Sequence, residues 1–271
     1  MSRRLGALLV LALLAMPLVL SAQQHPSATS VIFVTIDGVR PEDLFGGVDL
    51  TVMADLEGSG IDDTTAFRER WWRESREGRR RAVMPFLWDT LVPMGVLVGD
   101  PLGQATVRVT NGLQFSGPGY IELFTGHARA EVTSNDDRRY PYRTVFEVVA
   151  GRPEASAGDV AAFTSWTSQA RYAASAPGRM MSNAPFDPVP PTASAADRRM
   201  SVLEARVRHE DGSMRYDAFT QERALRWLAA HHPVLLHVGF GETDHDAHAR
   251  RYDHTIAMLH TTDRMLSELW H

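Results

Sequence analysis

Val31-Ile32-Phe33-Val34-Thr35-Ile36, closed by Asp37-Gly38, is the stretch from which the rest of the chain can be read. The run is apolar and rich in β-branched residues. A strand with one wet face alternates polar and apolar positions, whereas a strand buried on both faces does not. The run therefore predicts a strand of a parallel sheet. Two runs of the same kind follow, Val160-Ala161-Ala162-Phe163 and Val234-Leu235-Leu236-His237-Val238-Gly239-Phe240. Helical patterns lie around them. Met214 to Ala230 sets Phe219, Leu225 and Leu228 on one side, and Arg250 to Trp270 carries Tyr252, Ile256, Leu259, Leu266 and Leu269 at helical spacing. Strand and helix in alternation predict an α/β protein, a three-layer α/β/α sandwich with a mostly parallel sheet.

The connecting segments read less sharply. Pro41 to Gly60 has the composition of a loop. Phe67 to Arg81 reads as one charged helix with Trp71 and Trp72 against the core and Arg79, Arg80 and Arg81 on a solvated face. Met84 to Leu91 continues as an apolar helical segment that Gly95 stops. Val96-Leu97-Val98 and Thr106-Val107-Arg108-Val109-Thr110 read as short strands. Thr144 to Ala150 reads as a short helix ended by Gly151. Ala176 to Ala196, rich in Pro, Ala and Ser, reads as a surface excursion.

At the N-terminus, Arg3 and Arg4 precede the apolar run Leu5 to Leu20, and small residues Ser21 and Ala22 precede Gln23-Gln24. This predicts a secretory signal peptide over residues 1–22 and one domain over residues 23–271; an uncleaved membrane anchor is the alternative, against which the run is short for a span and carries Pro17. The protein is then expected in the periplasm or outside the cell, with no membrane span after the leader is cut. Cysteine is absent, which excludes a thiolate nucleophile, a cysteine-ligated zinc and any disulfide. All 28 basic residues are arginine, and the net charge of −5 argues against a general nucleic-acid binder. With 44% hydrophobic residues the chain can bury a substantial core.

Three stretches carry candidate chemistry. Asp37 follows a strand end, where open α/β sheets bind ligands; on its own, Asp-Gly there is also an ordinary turn. Phe115-Ser116-Gly117-Pro118-Gly119-Tyr120 leads into an apolar segment closed by Thr125-Gly126. Pro suits the first turn of a helix and Gly the residue past its end, so Ser116 is expected at a helix N-terminus. Unpaired N–H groups there favour an anionic substrate; a capping serine is the simpler alternative. Gly241-Glu242-Thr243-Asp244-His245-Asp246-Ala247-His248 follows the third strand. Its Asp244 and His248 are one helical turn apart, a spacing that suits a shared metal ion; an acidic, histidine-rich helix start is otherwise a solvated cap.

In their order and spacing these motifs resemble the alkaline phosphatase superfamily of metal-dependent hydrolases and mutases. The likeness runs from Val31 onward and is greatest to exported bacterial phosphatase, phosphodiesterase and phosphoglyceromutase-like proteins. It implies an alkaline phosphatase-like fold and two divalent metal ions, zinc or manganese. Asp37 would bind one ion and Ser116 would bridge toward it as the nucleophile. Asp244 and His248 would bind the other, and Asn135 would orient a substrate oxygen. The implied reaction is hydrolysis of a small phosphate ester, mono- or diester, through a phosphoseryl intermediate. The family pattern continues to a further strand ending in Asp-His-Gly and a later metal-binding His. The chain ends at His271 before either, so the resemblance implies a member lacking its C-terminal part. Three alternatives stand beside the hydrolase. A sulfatase shares Ser-x-Pro but places Arg where this chain has Tyr120. A phosphomutase uses the same residues. A catalytically inactive fragment would keep the fold without its metals.

Overall fold

The computed structural model describes residues 30–55, 57–188 and 193–271. The leader expected at residues 1–22 lies outside them. In chain order the elements are β1 (Val31–Ile36), α1 (Pro41–Gly46), α2 (Leu50–Ala54), α3 (Thr64–Trp71), α4 (Arg76–Val83), a π-helical turn (Leu87–Leu91) and α5 (Val92–Met94). Next come α6 (Ser116–Thr125), α7 (Val145–Ala150), β2 (Val160–Thr164), α8 (Thr167–Tyr172), β3 (Met181–Asn183) and α9 (Ala195–Arg206). The chain finishes with α10 (Asp217–His231), β4 (Leu235–Phe240), α11 (Glu242–His248) and α12 (Tyr252–Trp270).

The protein is an α/β fold with a four-stranded, all-parallel sheet flanked by helices, in the order β1-β4-β2-β3. The three apolar runs form β1, β2 and β4, as their composition dictates. β2 and β4 are buried along their whole length, while β1 at the edge is half-buried. The lack of alternation follows from a core on each face. Phe33, Val160, Ala162 and Leu235 pack with Tyr120, Phe124 and Phe146 of α6 and α7. Their neighbours Ile32, Val34, Ala161, Leu236 and Val238 pack with α10 and α12 through Ala224, Met265 and Leu269. A third cluster joins α1, α3, α4 and α12 around Phe45, Phe67, Trp71, Trp88 and Ile256. Among the described residues no helix is long and apolar enough to cross a membrane.

Several connecting segments differ from their sequence reading. The stretch 41–60 holds α1 and α2: Pro41 opens α1, and the Asp49 carboxylate caps α2 by accepting from the Thr51 N–H at 2.8 Å. The expected single helix over 67–81 breaks after Trp71, where Trp72 turns extended and Ser75 caps a new helix. Its arginines are less free than a solvated face implies. Arg80 lies 3.9 Å from the Trp88 ring centre and Arg79 5.1 Å from that of Trp72. Residues 96–98 and 106–110 are irregular and exposed rather than strands, with Val96 at 93%. Within 176–196, β3 forms an edge strand and α9 begins.

Candidate active site

Two strand ends and one helix start meet at the carboxyl edge of the sheet. The β1–β4 ladder runs one step past Ile36, with the Asp37 N–H donating to the Phe240 carbonyl at 3.1 Å. Gly38 then turns with φ of 73°, a conformation that favours glycine. A Cβ on Gly38 would lie 2.3 Å from Asp244 Cα, so only glycine lets the two loops touch. The buried Thr243 hydroxyl donates to the Asp37 carbonyl at 2.5 Å and ties α11 to the end of β1. Backbone contacts thus fix Asp37 beside Asp244.

Ser116 is the first residue of α6, with Phe115 at the cap position, Pro118 in the first turn and left-handed Gly126 ending the helix. Its hydroxyl caps nothing. Instead it donates to Asp37 Oδ1 at 3.1 Å, an oxygen that also accepts from the Gly38 N–H at 3.0 Å. The buried Tyr120 phenol hydrogen-bonds the same carboxylate. The expected cradle of several N–H groups at the helix start is reduced: Pro118 has no N–H, and the Gly117 N–H donates to Asn135 Oδ1 at 2.7 Å. That bond fixes the Asn135 amide and leaves its Nδ2 as the group free to donate. A Cβ on Gly117 would lie 2.6 Å from the Ser134 carbonyl, so this contact also needs glycine.

Asp37, Ser116, Asn135, Asp244 and His248 all line one cavity of about 200 Å³. His248 Nε2 lies 3.5 Å from Asp244 Oδ2, with the His248 side chain 82% exposed. Burial, and then the charge of Asp244, pushes Asp37 up to about 6 against the hydrogen bond from Ser116. Burial also raises Asp244, opposed by His248 and His245. Tyr120, in α6 beneath Asp37, keeps its phenol proton because of burial and the Asp37 charge. Among the described residues neither Asp37 nor Asp244 is paired with an arginine.

This donor set suits a hard divalent cation: two carboxylates, a hydroxyl and an imidazole, with no guanidinium competing. Among the described residues, however, no three His, Asp or Glu side chains are grouped closely enough to enclose an ion as they stand. The side chains of Asp244 and His248 have only each other, at 3.5 Å, as an ion-pair partner among the described residues.

Other residues at the site had no signal in the sequence. Trp166, Asp211 and Met214 complete the cavity wall. Asp217 accepts from the N–H groups of Gly241 at 2.9 Å and Glu242 at 3.2 Å, while Glu242 accepts from the Asp217 N–H at 2.5 Å. Each carboxylate thus caps the helix that carries the other, and burial raises both. A larger hollow of about 710 Å³ lies between β3, α9 and α10, but its arginines are already paired, Arg226 with Asp197 and Arg223 with Glu204. Comparison with known protein families, with curated proteins and with solved structures finds no match.

Proposed function

We propose that the chain is an exported, metal-dependent hydrolase of small phosphate esters, built on an alkaline phosphatase-like three-layer α/β/α sandwich. Ser116 is its nucleophile. The observation that carries this reading is the Ser116 hydroxyl donating to Asp37 at 3.1 Å, on a cavity shared with Asp244 and His248. A serine at a helix start aimed at a carboxylate is placed for attack rather than for capping.

Asp37 with Ser116, and Asp244 with His248, are the donors that would hold divalent ions, zinc or manganese, whose charge would lower the hydroxyl pKa and neutralise phosphoryl oxygens. The protein side of the reaction follows from the geometry. Ser116 Oγ attacks phosphorus while its proton passes to Asp37 Oδ1. That proton leaves along the hydrogen bond the Ser116 hydroxyl already makes to Asp37. The Oγ–P bond forms, the P–O bond to the alcohol breaks, and the alcohol leaves with a proton from solvent. Asn135 Nδ2 and the Ser116 N–H steady the phosphoryl oxygens. Water then attacks phosphorus and gives a proton to solvent, the Oγ–P bond breaks, and Asp37 returns its proton to Oγ, restoring the serine hydroxyl with release of phosphate.

Turnover of p-nitrophenyl phosphate in the presence of zinc or manganese tests the proposal. Ser116→Ala is expected to lower kcat/KM by roughly 10³-fold or more, with metal binding retained. A variant as fast as its parent would return Ser116 to a structural role.

A further inference from the structure

Apart from its acid and serine groups, the cavity has walls that the hydrolytic step does not use. Trp166 follows β2 and pairs through its backbone with Met214 in an antiparallel bridge. Just before Met214, Asp211 Oδ1 accepts from the Ser213 N–H at 2.8 Å and the Ser213 hydroxyl at 2.7 Å. Its other oxygen has no hydrogen bond or ion pair among the described residues. Partial burial would raise the Asp211 carboxyl, but the Ser213 hydrogen bonds, with His209 and His245 nearby, hold it below the usual range. Asp211 therefore stays charged and faces the cavity with no partner of its own.

The rest of the lining narrows what fits. Among the described residues no arginine lines this cavity, in a chain with 28 of them. A substrate with a second anionic group would meet Asp211 without any counter-charge. The volume of about 200 Å³ equals about seven waters and falls below the usual range of pockets for drug-sized ligands. The enclosed part of the alcohol is therefore small. The lining adds an indole, a thioether and a free carboxylate, a set that suits a cation better than a second anion.

We infer that the substrate is the phosphate ester of a short alkylammonium alcohol, with its cationic group held by Trp166 and Asp211. This rests on the phosphate-ester reading above, so the test separates the two. Choline chloride, which carries the cation without phosphate, is titrated against the protein by tryptophan fluorescence. Its neutral isostere, 3,3-dimethylbutanol, serves as control. Choline is expected to bind at least about tenfold more tightly than the isostere. Asp211→Asn, an exposed loop substitution, should remove most of that difference, and Trp166→Phe should remove the optical signal. Equal binding of the two alcohols, or choline binding unchanged in Asp211→Asn, would overturn the inference.

The catalytic arm compares p-nitrophenyl phosphorylcholine with p-nitrophenyl 3,3-dimethylbutyl phosphate. A preference of about tenfold or more for the choline ester, lost in Asp211→Asn, supports the inference. Hydrolysis of both at equal rates sinks it while leaving the phosphoesterase intact. Asp211-dependent choline binding with neither ester hydrolysed keeps the cation site and removes the phosphoesterase reading. Hydrolysis of a short-chain phosphatidylcholine set against soluble glycerophosphocholine distinguishes a lipid headgroup from a free ester, and either supports the class.

Discussion

At the junction of α9 and α10, Glu204 is 1% exposed and sits between two guanidiniums. Its Oε2 lies 2.7 Å from Arg223, its Oε1 3.6 Å from Arg215, and Oε1 also accepts from the Phe186 N–H at 2.8 Å. At the carboxyl edge of the sheet, Asp37 and Asp244 are also drawn out of water, yet what stands beside them is a serine, a tyrosine, an exposed histidine and each other. The chain has arginine in abundance, and among the described residues none stands there. Buried charge is compensated where it only holds elements together. It is left uncompensated where a positively charged group or a reacting proton would complete the site.

This contrast can be broken by mutation. Glu204→Ala strands two buried guanidiniums and is expected to cost about 3–5 kcal/mol, read as a lower urea midpoint. A loss below 1 kcal/mol would mean that Arg215 and Arg223 are satisfied by Asn183, Thr220 and Ser201 alone. Gly38→Ala adds a Cβ against the backbone of Asp244 at a positive φ. It should cost about 2–3 kcal/mol and weaken zinc binding as Asp37 and Asp244 are forced apart.

The smallest effect has the opposite sign. Burial raises Asp37 from 3.8 to about 6 in the folded state, so the folded protein holds a proton there that the unfolded chain has released. That contribution is present in full below about pH 4 and is lost as pH rises through about 6. In chelator-treated protein, Asp37→Asn should therefore raise stability near pH 7 by about 1–2 kcal/mol, a few degrees of Tm, while turnover is lost. The gain should vanish near pH 3.5. Thermal melts of both proteins from pH 3.5 to 7.5 check this, and a variant less stable at every pH would make Asp37 a structural carboxylate like Glu204.

The parts of the fold that were legible in the sequence are those where composition alone sets the outcome. Runs buried on both faces have no alternative pairing, so β1, β2 and β4 stood out, and Pro118 with Gly126 bracketed α6. Val96 to Val98 and Thr106 to Thr110 have equal β-propensity but no neighbouring strand, and the ladder supplies the stability. The helices over 41–60 depend on single events, Pro41 at a first turn and Asp49 as a cap, within a polar stretch. At the site, Asp37, Ser116, Asn135, Asp244 and His248 were readable as residues, and the structure brings all five to one cavity. Trp166, Asp211 and Met214 were not, because they reach it through loops far apart in sequence. Asp217 looked like any acidic helix start; its exchange of caps with Glu242 exists only once α10 and α11 are side by side.

The central claim is that the Ser116 oxygen, held by Asp37, is the attacking atom. Acid quenching of the zinc-loaded protein during turnover of p-nitrophenyl phosphate, followed by peptide mass analysis, tests it most directly. The account predicts one added phosphoryl group on the peptide carrying Ser116, absent in Ser116→Ala. Steady turnover of the parent with no phosphoryl group on that peptide at any quench time, together with a Ser116→Ala variant as active as its parent, would contradict it.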